Sequence, residues 1–144
     1  MDRTEARETA FKALYQLEFT PGDEEEFYEA LAIENAIEEG KKVQQRRLTY
    51  IENSVKGTRK YLSEIDEMIK PYLKKGWTLE RLSTADRNII RLAVYEMKFA
   101  EDKLSAGIAI NEAVEIAKKY GAEGSSRFVN GILNAIANGL TVET

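Results

Sequence analysis

The sequence predicts an all-α protein of about seven helices. No stretch shows the strict alternation of a half-buried strand, and apolar residues recur at helical spacing along most of the chain. The two prolines and nine glycines fall mainly where these helical patterns break. A chain of 144 residues with 43% hydrophobic side chains suits one compact domain or two small packed subdomains.

Two helices are predicted before residue 40. The first spans about 4–19, with Thr4 as its cap and Pro21 and Gly22 as its end. Its predicted inner face consists of Ala6, Ala10, Ala13, Leu14 and Leu17. The second is acidic, begins near Asp23 and ends near Glu39, before Gly40. It is expected to bury Phe27, Leu31 and Ile37.

A third helix is predicted over about 43–61 and a short fourth helix after it, capped by Ser63. The apolar face of the fourth helix carries Ile65, Met68, Ile69 and Leu73. Pro71 lies inside that pattern and should bend the chain, because proline lacks a backbone N–H. Gly76 and Trp77 are predicted to form the next turn.

Three further helices are predicted in the remaining residues. Ser83 and Asp86 have the spacing of a capping box and should start a central helix over about 84–99. The next helix should open near Asn111 and stop at Gly121. Ser125 or the serine after it should cap the last helix. The predicted inward residues of the three are Ile89, Leu92, Ala93, Met97, Ala113, Ile116, Ala117, Tyr120, Phe128, Val129, Ile132, Leu133 and Ile136.

Composition excludes several classes of function. The chain has neither cysteine nor histidine, so disulfides, thiolate or imidazole metal sites and Cys- or His-based catalysis are ruled out. No glycine-rich phosphate loop is present and no motif indicates a cofactor or a metal, so we predict neither. A carboxylate-only hydrolase and a magnesium enzyme with oxygen ligands remain compatible with the composition. The absence of a long apolar run and of a signal peptide predicts a soluble cytoplasmic protein.

The net charge of −4 conceals two regions of opposite charge. Residues 21–40 contain eight acidic and no basic side chains, whereas residues 41–103 contain fifteen basic and nine acidic ones. Because association responds to local potential, the basic region could still face a polyanion.

Two basic patterns stand out, and each has a plain structural alternative. Arg87, Arg91 and Lys98 lie within roughly 40° of one another on the central helix. They form either one basic edge that faces a ligand or a solvated face with local ion pairs. Arg3 and Arg7 are one helical turn apart, and Phe11 and Tyr15 continue the same spacing. Cations and aromatic rings along one edge suit unpaired RNA, but core packing and solvation explain the same pattern.

Residues 121–131 form a third candidate, a polar glycine-rich turn that leads into a helix. The free N–H groups at such a helix start can bind an anion. Arg127 lies in the first turn, where the helix dipole disfavours a cation, so a ligand-binding task is one explanation for it. A helical hairpin that simply needs its glycines is the other.

Several segments together closely resemble the bacterial NusB family of transcription antitermination factors. They are Ala6-Arg7-Glu8 with Ala13-Leu14-Tyr15, IDEMIKPYL at 65–73, DRNIIRLAVYEM at 86–97 and INEAVEIAKKYGAEGSSRFVNGIL at 110–133. The last segment is long and ungapped. The resemblance implies two packed helical subdomains, at about 1–75 and 76–144, and no enzymatic activity.

The family resemblance also implies partners and contact residues. Family members bind single-stranded boxA RNA of ribosomal operons together with the ribosomal protein NusE, and join other Nus factors on RNA polymerase to support read-through. By position, the implied RNA contacts are Arg3, Arg7, Tyr15, Tyr72, Arg87, Arg91, Arg127 and Phe128. The implied partner-facing residues are Asp86, Glu123, Gly124 and Ser125.

The N-terminus departs from the family pattern, because Thr4 and Glu5 separate Arg3 from Arg7 where relatives often carry denser arginines. We therefore expect weak RNA binding alone and tighter binding with the partner. Two other functions remain open: a detached RNA-binding module of a ribosomal RNA methyltransferase, and a helical scaffold that binds only proteins. Whether two copies form a homodimer is also open.

Overall fold

The computed structural model describes residues 1–20 and 25–142, and these residues form seven α-helices and no β-strand. The helices are α1 (Arg3–Leu17), α2 (Glu25–Ala36), α3 (Gln45–Lys60), α4 (Leu62–Ile69), α5 (Thr84–Val94), α6 (Ala106–Tyr120) and α7 (Ser125–Val142). Two 3₁₀ turns lie at Lys70–Tyr72 and Leu79–Arg81, and a π-helical turn, Tyr95–Phe99, extends α5. The prediction of an all-α fold with about seven helices is confirmed.

Helix α1 is capped by Asp2, so the prediction that Thr4 is the cap was wrong. The Asp2 carboxylate accepts a hydrogen bond from the Glu5 backbone N–H at 2.8 Å, and the Glu5 carboxylate accepts one from the Asp2 N–H at 3.1 Å. This reciprocal pair is a capping box, which leaves Thr4 inside the first turn. The predicted inner face of α1 is buried as expected. Residues 21–23, where the sequence predicts the break and the next start, lie outside the described residues.

Helix α2 packs on α1 through a different face from the one that the sequence predicts. Ala32, Ile33 and Ala36 are buried, whereas Phe27 and Leu31, predicted to be buried, are 59% and 40% exposed. Alanines let the two helices approach closely, and the larger side chains are left on the outside. The helix ends at Ala36, earlier than predicted.

The fourth helix begins at Leu62, directly after α3, and Ser63 does not cap it. Tyr61 occupies the cap position and makes no side-chain capping bond. Pro71 does not bend this helix, because it lies in the 3₁₀ turn that follows. Proline fits the start of such a turn, since the N–H that it lacks would have no partner there. The turn at Gly76, with φ of 89°, lies where it was predicted.

Three helix starts position the C-terminal part of the chain. Ser83 caps α5 as predicted, accepting from the Asp86 N–H at 3.1 Å. Helix α6 begins at Ala106 under a Ser105 cap, five residues before the predicted start at Asn111. Helix α7 begins at Ser125 itself, so the prediction that Ser125 or Ser126 is its cap was wrong. Gly124 precedes it, and its φ of 88° favours glycine.

The helices share one apolar core. Helix α1 contacts α2, α3 and α5, and α5 in turn packs on α6 and α7. The predicted inward residues of α5, α6 and α7 are buried or half-buried, except that Phe128 is 38% exposed. The division into subdomains near residue 75 stays a prediction. None of the described helices has the length and hydropathy needed to cross a bilayer.

Candidate nucleic-acid interface

The predicted basic edge on α5 is present, but ion pairs hold both of its arginines. Arg87 donates to the two carboxylate oxygens of Glu18 at 2.9 and 2.6 Å. Arg91 donates to the two oxygens of Asp66 at 2.8 and 2.9 Å and to Glu18 at 2.9 Å. The arginine side chains are only 15% and 12% exposed. Bidentate pairs of this kind fix orientation, so the edge mainly ties α5 to the end of α1 and to α4.

The charges around Glu18 also change its acidity. Burial alone would raise the pKa of Glu18, but the hydrogen bonds and charges of Arg87 and Arg91 outweigh it and hold the pKa below its usual value. Glu18 is therefore ionised at neutral pH and neutralises part of the basic edge. Lys98, the third member of the predicted edge, is exposed in the π-helical turn.

Arg7 and Phe11 lie in the core, so the predicted edge of Arg3, Arg7, Phe11 and Tyr15 does not form one continuous surface. Arg7 is 3% exposed and donates three hydrogen bonds of 2.9–3.0 Å to Glu96. A second carboxylate, Glu112, lies 3.3 Å from its guanidinium. Phe11 is 2% exposed, whereas Arg3 is exposed at the start of α1. In this conformation Arg7 offers no surface to RNA.

The buried pair is completed by Tyr50 of α3. Its hydroxyl donates to Glu96 at 2.8 Å, and its ring lies 5.8 Å from the Arg7 guanidinium carbon. Burial would lower the pKa of Arg7, but the hydrogen bonds and charge of Glu96 raise it above its usual value. Arg7 is therefore charged and links α1, α3 and the π-helical turn.

The predicted aromatic contacts are exposed. Tyr15 is 39% exposed and its ring lies 5.6 Å from that of Phe19, which is 69% exposed. Tyr72 and Phe128 are each 38% exposed. The Tyr72 ring lies against the backbone at Gly139, where a Cβ atom would overlap its hydroxyl. Each of these rings presents an edge or a face to a ligand.

A cavity of about 320 Å³ brings Phe128 together with Asp86. Trp77, which is 50% exposed, lines it as well, and the name aromatic cavity is used for it below. The other lining residues are Leu73, Lys74, Arg81, Leu82 and Ser83. One carboxylate oxygen of Asp86 is buried without a hydrogen-bond partner among the described residues. A buried acceptor of this kind is available to a donor from a ligand or a protein.

The polar turn before α7 leads to a cation, Arg127, which directly precedes Phe128 of the aromatic cavity in the chain. Arg127 is exposed and has no ion-pair partner among the described residues. Glu123 and Gly124 are exposed, whereas Ser125 is 6% exposed, with its side chain close to Gly121. The turn can therefore present Glu123 and backbone to a partner, while Ser125 is packed inside it.

Sequence reasoning missed three residues of the aromatic cavity. Trp77 was read only as part of a turn, and Lys74 and Arg81 were not singled out. The available signal was the chain's one tryptophan next to Gly76, since a large ring in a tight polar turn has little core to enter. Exposed cations and aromatic rings around one cavity are typical of a nucleic-acid-binding surface.

Comparison with known proteins agrees with this class. The NusB family model matches residues 4–138. The transcription antitermination protein NusB of Bacillus cereus (strain B4264) is 44% identical over 140 residues, covering 97% of this chain and 100% of that protein.

Two solved structures have the same fold. A T. maritima NusB structure superposes with a TM-score of 0.82 at 39% identity, over 96% of this chain and 92% of the other. A chain from a complex of the antitermination factors NusB and NusE with double-stranded RNA superposes with a TM-score of 0.77 at 28% identity. The match covers 95% of this chain and 96% of the other. This chain therefore belongs to the NusB family of transcription antitermination proteins, which are non-enzymatic and bind RNA.

Proposed function

We propose that this protein binds single-stranded boxA RNA of ribosomal RNA operons together with a NusE-type ribosomal protein, and so supports read-through by RNA polymerase. The observation that carries the proposal is the aromatic cavity, where exposed Trp77 and Phe128 rings lie beside Lys74 and Arg81. Unstacked bases need aromatic planes and phosphates need cations, and this cavity supplies both.

Arg127 extends the proposed RNA surface along α7. It precedes Phe128 in the chain and has no ion-pair partner among the described residues, so it can contact a phosphate without breaking an internal bond. Tyr72 and Tyr15 add exposed rings. Arg87 and Arg91 would have to give up bidentate carboxylate contacts, and their RNA contacts stay predictions.

The partner is proposed to contact Asp86 and the turn at Glu123 and Gly124. The unpaired Asp86 oxygen can accept a hydrogen bond, and a ribosomal protein carries many N–H and cationic donors. Support comes from the similar chain whose structure is a complex of NusB and NusE with RNA. Association with further Nus factors and with RNA polymerase in the cytoplasm is part of the same proposal.

The methyltransferase-module alternative has less support than the antitermination factor, because the chain matches a curated antitermination protein along that protein's entire length.

An RNA-binding experiment distinguishes the antitermination factor from the scaffold that binds only proteins. Fluorescence anisotropy with boxA RNA should show at least about a fivefold loss of affinity for Phe128→Ala, because stacking on one ring contributes about 1–3 kcal/mol per base.

Phe27→Ala is the matched control, since Phe27 is an exposed phenylalanine on α2 that does not line the aromatic cavity. It should bind RNA as the unchanged protein does. Equal affinity of both variants and the unchanged protein would contradict the proposed RNA surface, and absence of RNA binding by the unchanged protein would favour the scaffold.

A further inference from the structure

A second cleft lies at the start of α1, at the opposite end of that helix from Glu18 and the basic edge. Its volume is about 510 Å³, and α1, α3, the π-helical turn and the loop after that turn line it. We call it the α3 cleft. None of its residues lines the aromatic cavity.

Four cations line the α3 cleft. Arg3 comes from α1, and Arg46, Lys56 and Lys60 come from α3. All four are exposed, and none has an ion-pair partner among the described residues. Lys60 only lies over the ring of Tyr61, at 5.3 Å. Arg7, Arg87 and Arg91, by contrast, are all neutralised by carboxylates.

The α3 cations form an extended row rather than a cluster. At about 100° per residue, Arg46, Lys56 and Lys60 fall within roughly 80° of one another on α3. At about 1.5 Å per residue, the row from Arg46 to Lys60 is on the order of 20 Å long. A row of this length fits several phosphates of a chain better than a single anion.

The other residues of the α3 cleft determine how an RNA strand would be oriented along the row of cations. Tyr61 and Phe99 stack at 4.7 Å with their planes 13° apart, and both are half-buried beside Lys60. Glu101 and Asp102, on the loop after the π-helical turn, line the cleft too. They disfavour phosphates on their side, so an RNA backbone is expected along α3 and its bases towards the rings and acids.

We infer that the α3 cleft binds a second segment of the same RNA chain, beyond the segment held at the aromatic cavity. This inference rests on the proposed function. The aromatic cavity lies near the other end of α1, because Arg87, which pairs with Glu18, also donates to the backbone carbonyl of Leu82, a residue of that cavity. Since α1 has 15 residues and is thus about 22 Å long, the two segments are separated by several nucleotides. The ligand is therefore RNA that extends past the shortest boxA segment.

The test compares a short boxA RNA with the same RNA lengthened by about ten unpaired nucleotides, a length within the range of single-strand binding sites. Both are titrated by anisotropy with the NusE-type partner present. The extension should tighten binding by about fivefold or more. Arg46→Glu and Lys60→Glu should each remove most of that gain and leave the affinity for the short RNA within about twofold.

Lys118→Glu is the charge-matched control, because Lys118 is exposed on α6 and does not line the α3 cleft. It should keep the full gain, and melting curves check that every variant is folded. The inference is overturned if the gain persists in Arg46→Glu and Lys60→Glu, or if the short RNA binds and the extension adds nothing. Complete competition by a nucleoside monophosphate also overturns it in favour of a mononucleotide site. If neither RNA binds, the proposed function itself fails.

Discussion

Replacement of Arg7 by methionine should destabilise the protein without removing a phosphate contact. The change deletes three hydrogen bonds of 2.9–3.0 Å to Glu96 and leaves that buried carboxylate with the Tyr50 hydroxyl alone. Breaking a buried pair from one side costs about 3–5 kcal/mol. The pair with Glu112, which is 24% exposed, adds little. We expect a loss of about 3–4 kcal/mol, which a domain with a stability of about 5–15 kcal/mol can survive.

Urea unfolding followed by circular dichroism measures this loss, with Arg3→Met as the exposed control. Arg3→Met should change the free energy of unfolding by no more than about 0.5 kcal/mol. Adding Glu96→Gln to Arg7→Met should recover about 1 kcal/mol or more, because the uncompensated buried charge is removed.

RNA titration at several salt concentrations separates the two roles of the arginines. With the lengthened boxA RNA, folded Arg7→Met should keep the salt dependence of the unchanged protein, whereas Arg3→Met, in the α3 cleft, should flatten its slope by about 0.7, as loss of one phosphate contact does. Arg7 would instead be a surface contact if Arg7→Met is as stable as the unchanged protein and flattens the slope.

Three further predictions concern the helices and their packing. Ser83→Ala should lower the free energy of unfolding by about 1 kcal/mol in urea titrations, and no change would contradict its role as cap. Gly57→Ala should lower the free energy of unfolding by about 1–2 kcal/mol, because the added Cβ would overlap the Tyr95 ring. Gly131→Ala, with open space around the added Cβ, should raise the melting temperature. Folding lowers the pKa of Glu18. Its ionised form therefore stabilises the protein above the unfolded pKa of about 4.3. This contribution is lost as pH falls through the folded pKa. The stability difference between the unchanged protein and Glu18→Gln should therefore shrink in acid, and a constant difference from pH 7 to pH 3 would count against the ion pairs.

Helix boundaries with local signals were predictable from the sequence. Ser83 and Gly121 were identified correctly because a cap and a stop depend on neighbours within a few residues. The start of α6 was placed too late because Gly107, a poor helix former, weakens the pattern between Ser105 and Ile108.

The burial of individual side chains was less predictable, because it depends on distant parts of the chain. Phe27 and Leu31 share a helical stripe, and periodicity cannot say whether that stripe or the alanine face meets α1. Arg7 has a surface-like spacing with Arg3, yet its main partner, Glu96, is 89 residues away. No local pattern carries that information.

In the candidate interface, too, the exposed side chains were more predictable than the ion pairs between distant residues. Tyr15, Tyr72 and Arg127, which the family resemblance implies as RNA contacts, are exposed, and so is Phe128, which helical periodicity placed in the core. The neutralisation of the basic edge depends on Glu18, 69 residues before Arg87, and the spacing on α5 could not reveal it.

Joint binding of boxA RNA by this protein and a NusE-type partner can be measured by anisotropy titration of boxA and scrambled RNA, each with and without the partner and at two salt concentrations. We expect weak binding by the protein alone, tighter binding with the partner, and a preference for boxA that persists at the higher salt. Equal affinity with and without the partner, or equal affinity for the two RNAs, would contradict this expectation.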